Sequence, residues 1–195
     1  LKAIECNDDP LILVLPADHI IKNKDTFFDV INKALTYAKK GKIVTFGITP
    51  NKAEIGFGYI ESENELDTKK INAERILRFI EKPNQANAEK LILDKRFSWN
   101  SGIFLFKASS FLNEVLTYCP DIYKLCKKSL LNIKMDLEFQ RLDRETFALC
   151  EKISIDKAIM EKTKNGVVLP LDAGWNDIGN WESMWEVSSK NHSGN

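Results

Sequence analysis

No two of the four cysteines, Cys6, Cys119, Cys126 and Cys150, are spaced C-x-x-C, and histidine occurs only twice, which argues against a structural zinc site. Cysteines scattered without a framework suit a reducing compartment, so the expected location is the cytoplasm. No apolar run approaches the ~20 residues a membrane span requires, and the N-terminus lacks a basic region followed by an apolar one. An excess of charge of one sign is missing too. The 28 basic residues offset 28 acidic ones, so the footprint of a general nucleic-acid binder is absent and any phosphate site must be local. Repeats, low-complexity tracts and long linkers are also lacking. What remains is an ordinary globular composition, 44% hydrophobic and 29% charged, over one domain, 1–195. That length suffices to bury roughly 70% of the unfolded surface.

The segment order predicts α/β architecture. "PLILVLPAD" (10–18) has the continuous apolar pattern of a strand buried on both faces of a parallel sheet, "KDTFFDVINKALTYAKKGK" (24–42) is a helix stopped by Gly41, and "IVTFGI" (43–48) is a second buried strand completing a βαβ unit. "GFGYIESE" (56–63) and "NAERILRFIEKP" (72–83) read as an antiparallel excursion. Next come a helix over 84–95 capped by Asn84, a strand over 101–108, and mainly helix over 109–150 broken at Pro120. A short helix over 154–163, a strand over 166–172 and an amphipathic helix over 179–187 close the chain. It opens already leading into a buried strand with no glycine-rich turn before it, so the expectation is a domain truncated at its N-terminus.

Several residues invite a ligand, and each has a plainer structural role. Strand alternation along "RILRFIEK" places Leu77, Phe79 and Glu81 on one face and Ile76, Arg78, Ile80 and Lys82 on the other. An ionised Glu81 on an apolar face is costly unless hydrogen-bonded, as a polyol would do, and Lys82 could reach a phosphate; equally, both could be solvated residues at a strand that Pro83 ends. Asn100 in "WNSG" is a turn former or an amide for sugar hydroxyls. Gly58 inside a strand pattern marks a bulge or a close approach to a ligand. Asp18 in "LPADH" and Asp177 in "GWNDIGNW" are caps or, brought together, carboxylates for Mg²⁺.

Taken in order, "LPADHII", "TFGITP", "GFGYIE", "FIEKP", "WNSGIFLF", "SIDKAIMEKT" and "GWNDIGNWESMWEV" resemble the bacterial mannose-1-phosphate guanylyltransferases, through nearly the whole chain. Ile55 and Phe57 stand where threonine and tyrosine are common, and Lys157 where tyrosine is usual. The resemblance implies a Rossmann-like mixed sheet and transfer of a guanylyl group from GTP to mannose 1-phosphate, giving GDP-mannose and pyrophosphate. It implies Asp18 and Asp177 as ligands of a catalytic Mg²⁺. Glu81, Asn100 and the Gly58 backbone would bind the hexose, and Lys82 the sugar phosphate. This chemistry needs alignment and charge stabilisation but no protein nucleophile. The family's glycine-rich triphosphate loop and any C-terminal β-helix or isomerase domain would lie outside these 195 residues, so the isolated chain is expected to be inactive or nearly so. A homodimer is a further expectation. A pyrophosphorylase for another sugar or base, and a non-catalytic nucleotide-sugar-binding homologue, are the competing readings.

Overall fold

The computed structural model describes residues 1–6, 8–179, 181, 184, 185 and 188. Its elements run α1 (Lys2–Cys6), β1 (Leu11–Val14), β2 (Ile20–Ile21), α2 (Lys24–Ala38), β3 (Ile43–Ile48), β4 (Gly58–Ser62), β5 (Glu74–Glu81), α3 (Gln85–Leu91) and β6 (Phe97–Lys107). They continue with α4 (Ala108–Tyr118), α5 (Pro120–Leu131), the hairpin β7 (Lys134–Asp136) and β8 (Phe139–Arg141), α6 (Arg144–Ala148), a π-helix over Asp156–Met160, β9 (Gly166–Pro170) and β10 (Trp175–Asn176). The amphipathic helix expected over 179–187 falls largely outside the described residues.

The main sheet has the order β1-β6-β3-β9-β5-β4 and is mixed. Strand β6 pairs antiparallel with both β1 and β3, so the predicted βαβ unit exists with β6 lying between its two strands. Of the described strands only β9 runs parallel to a neighbour, β3. This corrects the expectation for β1. It is a short strand paired only with β6 among the described residues, and Val14 at its end is exposed.

Alternation sorts the β3 side chains onto two faces. Val44 and Phe46 join Ile103, Leu105 and Leu169 against the apolar face of α2 (Phe27, Val30, Ile31, Ala34, Ala38). Ile43 and Val168 join Phe104, Phe106 and Met160 of the π-helix on the other face, where Phe106 stacks on Phe111 of α4. Helix α2 starts where Asn23 Oδ1 accepts from the Thr26 amide, and α3 where Asn84 Oδ1 accepts from Asn87, the predicted cap. The chain leaves α2 through Gly41 at φ +85°, which glycine adopts without a Cβ clash.

Over 109–150 the expectation is helix, and α4, α5 and α6 bear it out apart from the hairpin. Leu137 at φ +55° turns the chain there, Arg141 binds Asp136 at 3.0 Å, and its guanidinium lies 5.0 Å above the Phe139 ring. Pro120 opens α5 as its first residue, where the missing N–H costs nothing.

The functional geometry follows from how β6 changes partners. Its first half pairs with β4 (Tyr59 opposite Trp99), and its second half pairs with β1 (Phe104 opposite Val14). Between them β6 bulges: Gly47 is opposite Asn100 and Thr45 opposite Phe104, so Ser101, Gly102 and Ile103 face the single residue Phe46. Gly102 sits at φ +71°, and a Cβ there would touch Pro16 at 3.4 Å. A cleft opens at this gap.

Candidate active site

The cleft has a volume of about 300 Å³ and brings together Gly58, Glu81, Lys82, Asn100 and Asp177, five of the six residues singled out from sequence. Gly58 pairs with Glu81 across β4 and β5, and Tyr59 pairs with Trp99, so the next step of that ladder sets Gly58 beside Asn100. Three adjacent strands thus place Glu81, Gly58 and Asn100 in one row. The row needs glycine in the middle, because a Cβ on Gly58 would lie 2.7 Å from Glu81 Oε2.

Strand alternation misplaces Lys82. It has φ +47°, a left-handed conformation that costs a non-glycine residue about 1–2 kcal/mol. That twist ends the alternation and turns the ammonium back to the side of its neighbour: Lys82 Nζ is 3.9 Å from Glu81 Oε1, and both line the cleft. The predicted face assignment also fails upstream. Leu77 is exposed, and Ile76 packs in the same cluster as Phe79, because Leu77 is the extra residue of a bulge in β5: Glu61 faces Arg78 and the next residue, Ser62, faces Ile76. Glu81 itself is only 14% exposed. Burial raises its pKa above the ordinary value, and the Asp156 carboxylate adds to that, against the opposing pull of Lys82.

Asn100 lies within a strand rather than at a turn. Its Nδ2 donates to Asp156 Oδ1 at 3.0 Å, and its Oδ1 accepts from Thr45 Oγ1 at 3.0 Å, which also lies 3.0 Å from the Ile103 carbonyl. Asp156, Thr45 and the pair His19 and Trp175 were not anticipated. Asp156 sits inside "SIDKAIMEKT" and His19 inside "LPADHII", motifs legible as units without a role for either residue.

Asp177 follows β10, whose residues Trp175 and Asn176 pair with Ile21 and Ile20 of β2. Continuing that register sets Asp177 across from His19, one residue from Asp18. Trp175 Nε1 donates to His19 Nδ1 at 3.1 Å, so in neutral imidazole the proton is on Nε2, which lies 3.9 Å from Asp18 Oδ1. Asp18 is 84% exposed and does not line the cleft itself, unlike its neighbours Pro16 and His19. Asp18 and Asp177 thus stand just beyond the paired ends of β2 and β10, and carboxylates are the kind of oxygen donor that a hard divalent cation takes together with ligand phosphates. An adjoining hollow of about 240 Å³ shares Gly56, Phe57, Trp175 and Asp177, and is floored by Phe57 standing edge-on to Trp99 and Trp175.

A larger groove, about 500 Å³, runs among α4, α5 and α6, with a mostly apolar lining that has no acidic side chain. The small polar cleft holds the chemical groups: partly buried carboxylates and an amide, of a kind that can take hydroxyl groups, and an exposed ammonium, of a kind that can take an anion.

A family model described as nucleotidyl transferase matches residues 1–194. The chain is 44% identical to a mannose-1-phosphate guanylyltransferase of Escherichia coli over 196 residues, covering 100% of this chain and 42% of that protein. A solved structure from Helicobacter pylori, described as mannose-6-phosphate isomerase, aligns with a TM-score of 0.80 at 34% identity, covering 90% of this chain and 68% of the other. Another from Thermus thermophilus, described as mannose-1-phosphate geranyltransferase, aligns with a TM-score of 0.80 at 28% identity, covering 97% and 52%. The chain spans about two fifths of the length of the curated relatives it matches. On the match over 1–194, this chain belongs to the nucleotidyl transferase family.

Proposed function

We propose that the cleft is the sugar-phosphate half of a mannose-1-phosphate guanylyltransferase, which transfers a guanylyl group from GTP to mannose 1-phosphate and releases pyrophosphate. The observation that carries this is the meeting of Glu81, Lys82 and Asn100 around Gly58 in one cleft, with Asp177 on its wall. The choice of sugar draws on the relatives: the two solved structures are described with different reactions and share a phosphorylated mannose, and the E. coli relative is named for the guanylyl transfer.

In this reading Glu81 and Asn100 take hydroxyls of the hexose, Gly58 lets the ring approach the backbone, and Lys82 takes the phosphate. Lys82 is suited to that because its 3.9 Å contact with Glu81 is long for an ion pair and its side chain is 64% exposed, free to swing. A phosphate oxygen of the sugar then attacks the α-phosphorus of the triphosphate, and pyrophosphate leaves. Holding the nucleophile in line and neutralising its charge supply the acceleration, with no covalent intermediate on the protein. Asp18 and Asp177 are the residues that would hold Mg²⁺, which when bound neutralises charge on the phosphates. The Rossmann-like character of the domain, its place in GDP-mannose and polysaccharide biosynthesis, a cytoplasmic location and a homodimeric state belong to the same proposal.

The test is a substrate panel on the full-length protein that carries this chain. With Mg²⁺ present, GTP and mannose 1-phosphate should give GDP-mannose with kcat/KM at least about tenfold above UTP or dTTP with glucose 1-phosphate. Preference for another pair would make it a related pyrophosphorylase, and no turnover with any pair while nucleotide sugars still bind would make it a binding homologue.

A further inference from the structure

Asp156 is the least explained group in the cleft. It opens the π-helix Asp156–Met160, whose Ala158, Ile159 and Met160 are buried in the core, so the backbone that carries its carboxylate is firmly anchored. Oδ1 accepts from Asn100 Nδ2 at 3.0 Å, and the Ser154 hydroxyl and the Asp156 backbone amide also favour the charged carboxylate, yet it forms no ion pair with a basic side chain among the described residues and burial raises its pKa above the ordinary value. A half-buried carboxylate without a cation costs stability, and an amide in its place would be cheaper for the fold. Asp156 lines the same cleft as Glu81, and its negative charge is one reason that the Glu81 pKa is raised. Lys82 beside Glu81 makes that pair a poor cation site. Ligand hydroxyls, which donate, are the groups that satisfy such acceptors.

The network also constrains Asn100. Thr45 Oγ1 lies 3.0 Å from both Asn100 Oδ1 and the Ile103 carbonyl and can donate or accept, so the Asp156 carboxylate, which only accepts, is the partner that holds Nδ2 in place and keeps the amide from flipping. One N–H and one lone pair remain for a ligand.

We propose that Asp156 is a specificity-determining residue: its carboxylate takes one hydroxyl of the hexose, and its grip on Asn100 dictates which amide group is presented to the neighbouring hydroxyl. This rests on the reading of the cleft as a hexose-phosphate site.

The experiment is a cycle on the full-length protein, combining Asp156→Asn with mannose 1-phosphate and its 2-, 3-, 4- and 6-deoxy analogues. In the unaltered protein, deleting the hydroxyl that meets Asp156 should lower kcat/KM by roughly ten- to a hundredfold, the range for a hydrogen bond to a charged group. In Asp156→Asn that one penalty should shrink to within a few-fold, the penalty at the most distant hydroxyl should persist, and KM for GTP should stay within about twofold. Equal penalties at every position in both proteins would overturn the proposal, as would a loss confined to KM for GTP or to the Mg²⁺ requirement. Thermal unfolding checks that the variant folds, and Asp156→Ser, read in the same way, decides the matter if it does not. If the unaltered protein uses a different hexose 1-phosphate, the guanylyltransferase reading fails and the cycle is run on that sugar's deoxy analogues, where the Asp156 signature stands or falls separately.

Discussion

Gly58→Ala is a perturbation whose size can be worked from atoms. The added methyl would lie 2.7 Å from Glu81 Oε2 and 3.2 and 3.3 Å from two Phe79 ring atoms. Ordinary contact begins near 3.4 Å, so the Glu81 carboxylate must retreat by about 0.7 Å and the ring by a tenth or two. Phe79 is held in the core while the carboxylate is the free end of a side chain, so Glu81 yields first. Overpacking of this kind typically costs about 1–3 kcal/mol of stability. A displacement approaching 1 Å at a substrate-positioning group costs up to about 10²-fold in rate. Steady-state kinetics of the full-length protein should therefore show kcat/KM for the sugar phosphate falling about ten- to a hundredfold, with KM for GTP within about twofold. Circular dichroism should show a folded protein. Unchanged sugar-phosphate kinetics in a folded Gly58→Ala would refute the placement of Glu81 against the sugar.

Lys82→Ala should raise KM for the sugar phosphate by roughly ten- to a hundredfold, the worth of a charge-assisted hydrogen bond. Lys82→Gly should lose the same activity yet unfold at a higher temperature than Lys82→Ala, because glycine adopts φ +47° freely; equal melting temperatures would remove the strain argument. Asp177→Asn should raise the Mg²⁺ concentration for half-maximal rate by at least about tenfold, read from a metal titration. Asp9 is a structural counterpart: Lys107 and the Ser109 amide and hydroxyl bind its carboxylate and lower its pKa to about 2 from 3.8. A depressed acid pKa contributes stability that is present above pH 3.8 and lost as pH falls through about 2. Asp9→Asn should therefore lower the melting temperature at pH 7 and lose that deficit between about pH 4 and pH 2, as thermal scans would record.

The sequence carried the local signals well and the long-range ones poorly. Asn84 capped α3, Gly41 closed α2, and the two excursion strands paired as their alternation and boundaries required, because each depends on a few neighbouring residues. Strand β1 looked doubly buried because its run is apolar, but its exposure is set by which strands flank it, and no local pattern encodes that. Lys82 went to the wrong face because period-two reasoning assumes an unbroken strand, and φ +47° breaks it. The hairpin over 134–141 was missed for lack of a glycine at its turn, where Leu137 takes the left-handed conformation instead. At the cleft, motif resemblance found Glu81, Lys82, Asn100, Gly58 and Asp177 together. It passed over Asp156, which is tied into the cleft by a hydrogen bond to a residue 56 positions away.

The position of the bound sugar phosphate is the most direct test of the role given to the cleft. A crystal structure of the full-length protein with mannose 1-phosphate and Mg²⁺ should show hexose hydroxyls on Glu81 and Asn100, the ring against the Gly58 backbone, the phosphate on Lys82 and the cation between Asp18 and Asp177. A ligand bound elsewhere, with Lys82 still beside Glu81 and the cleft filled only by water, would contradict it.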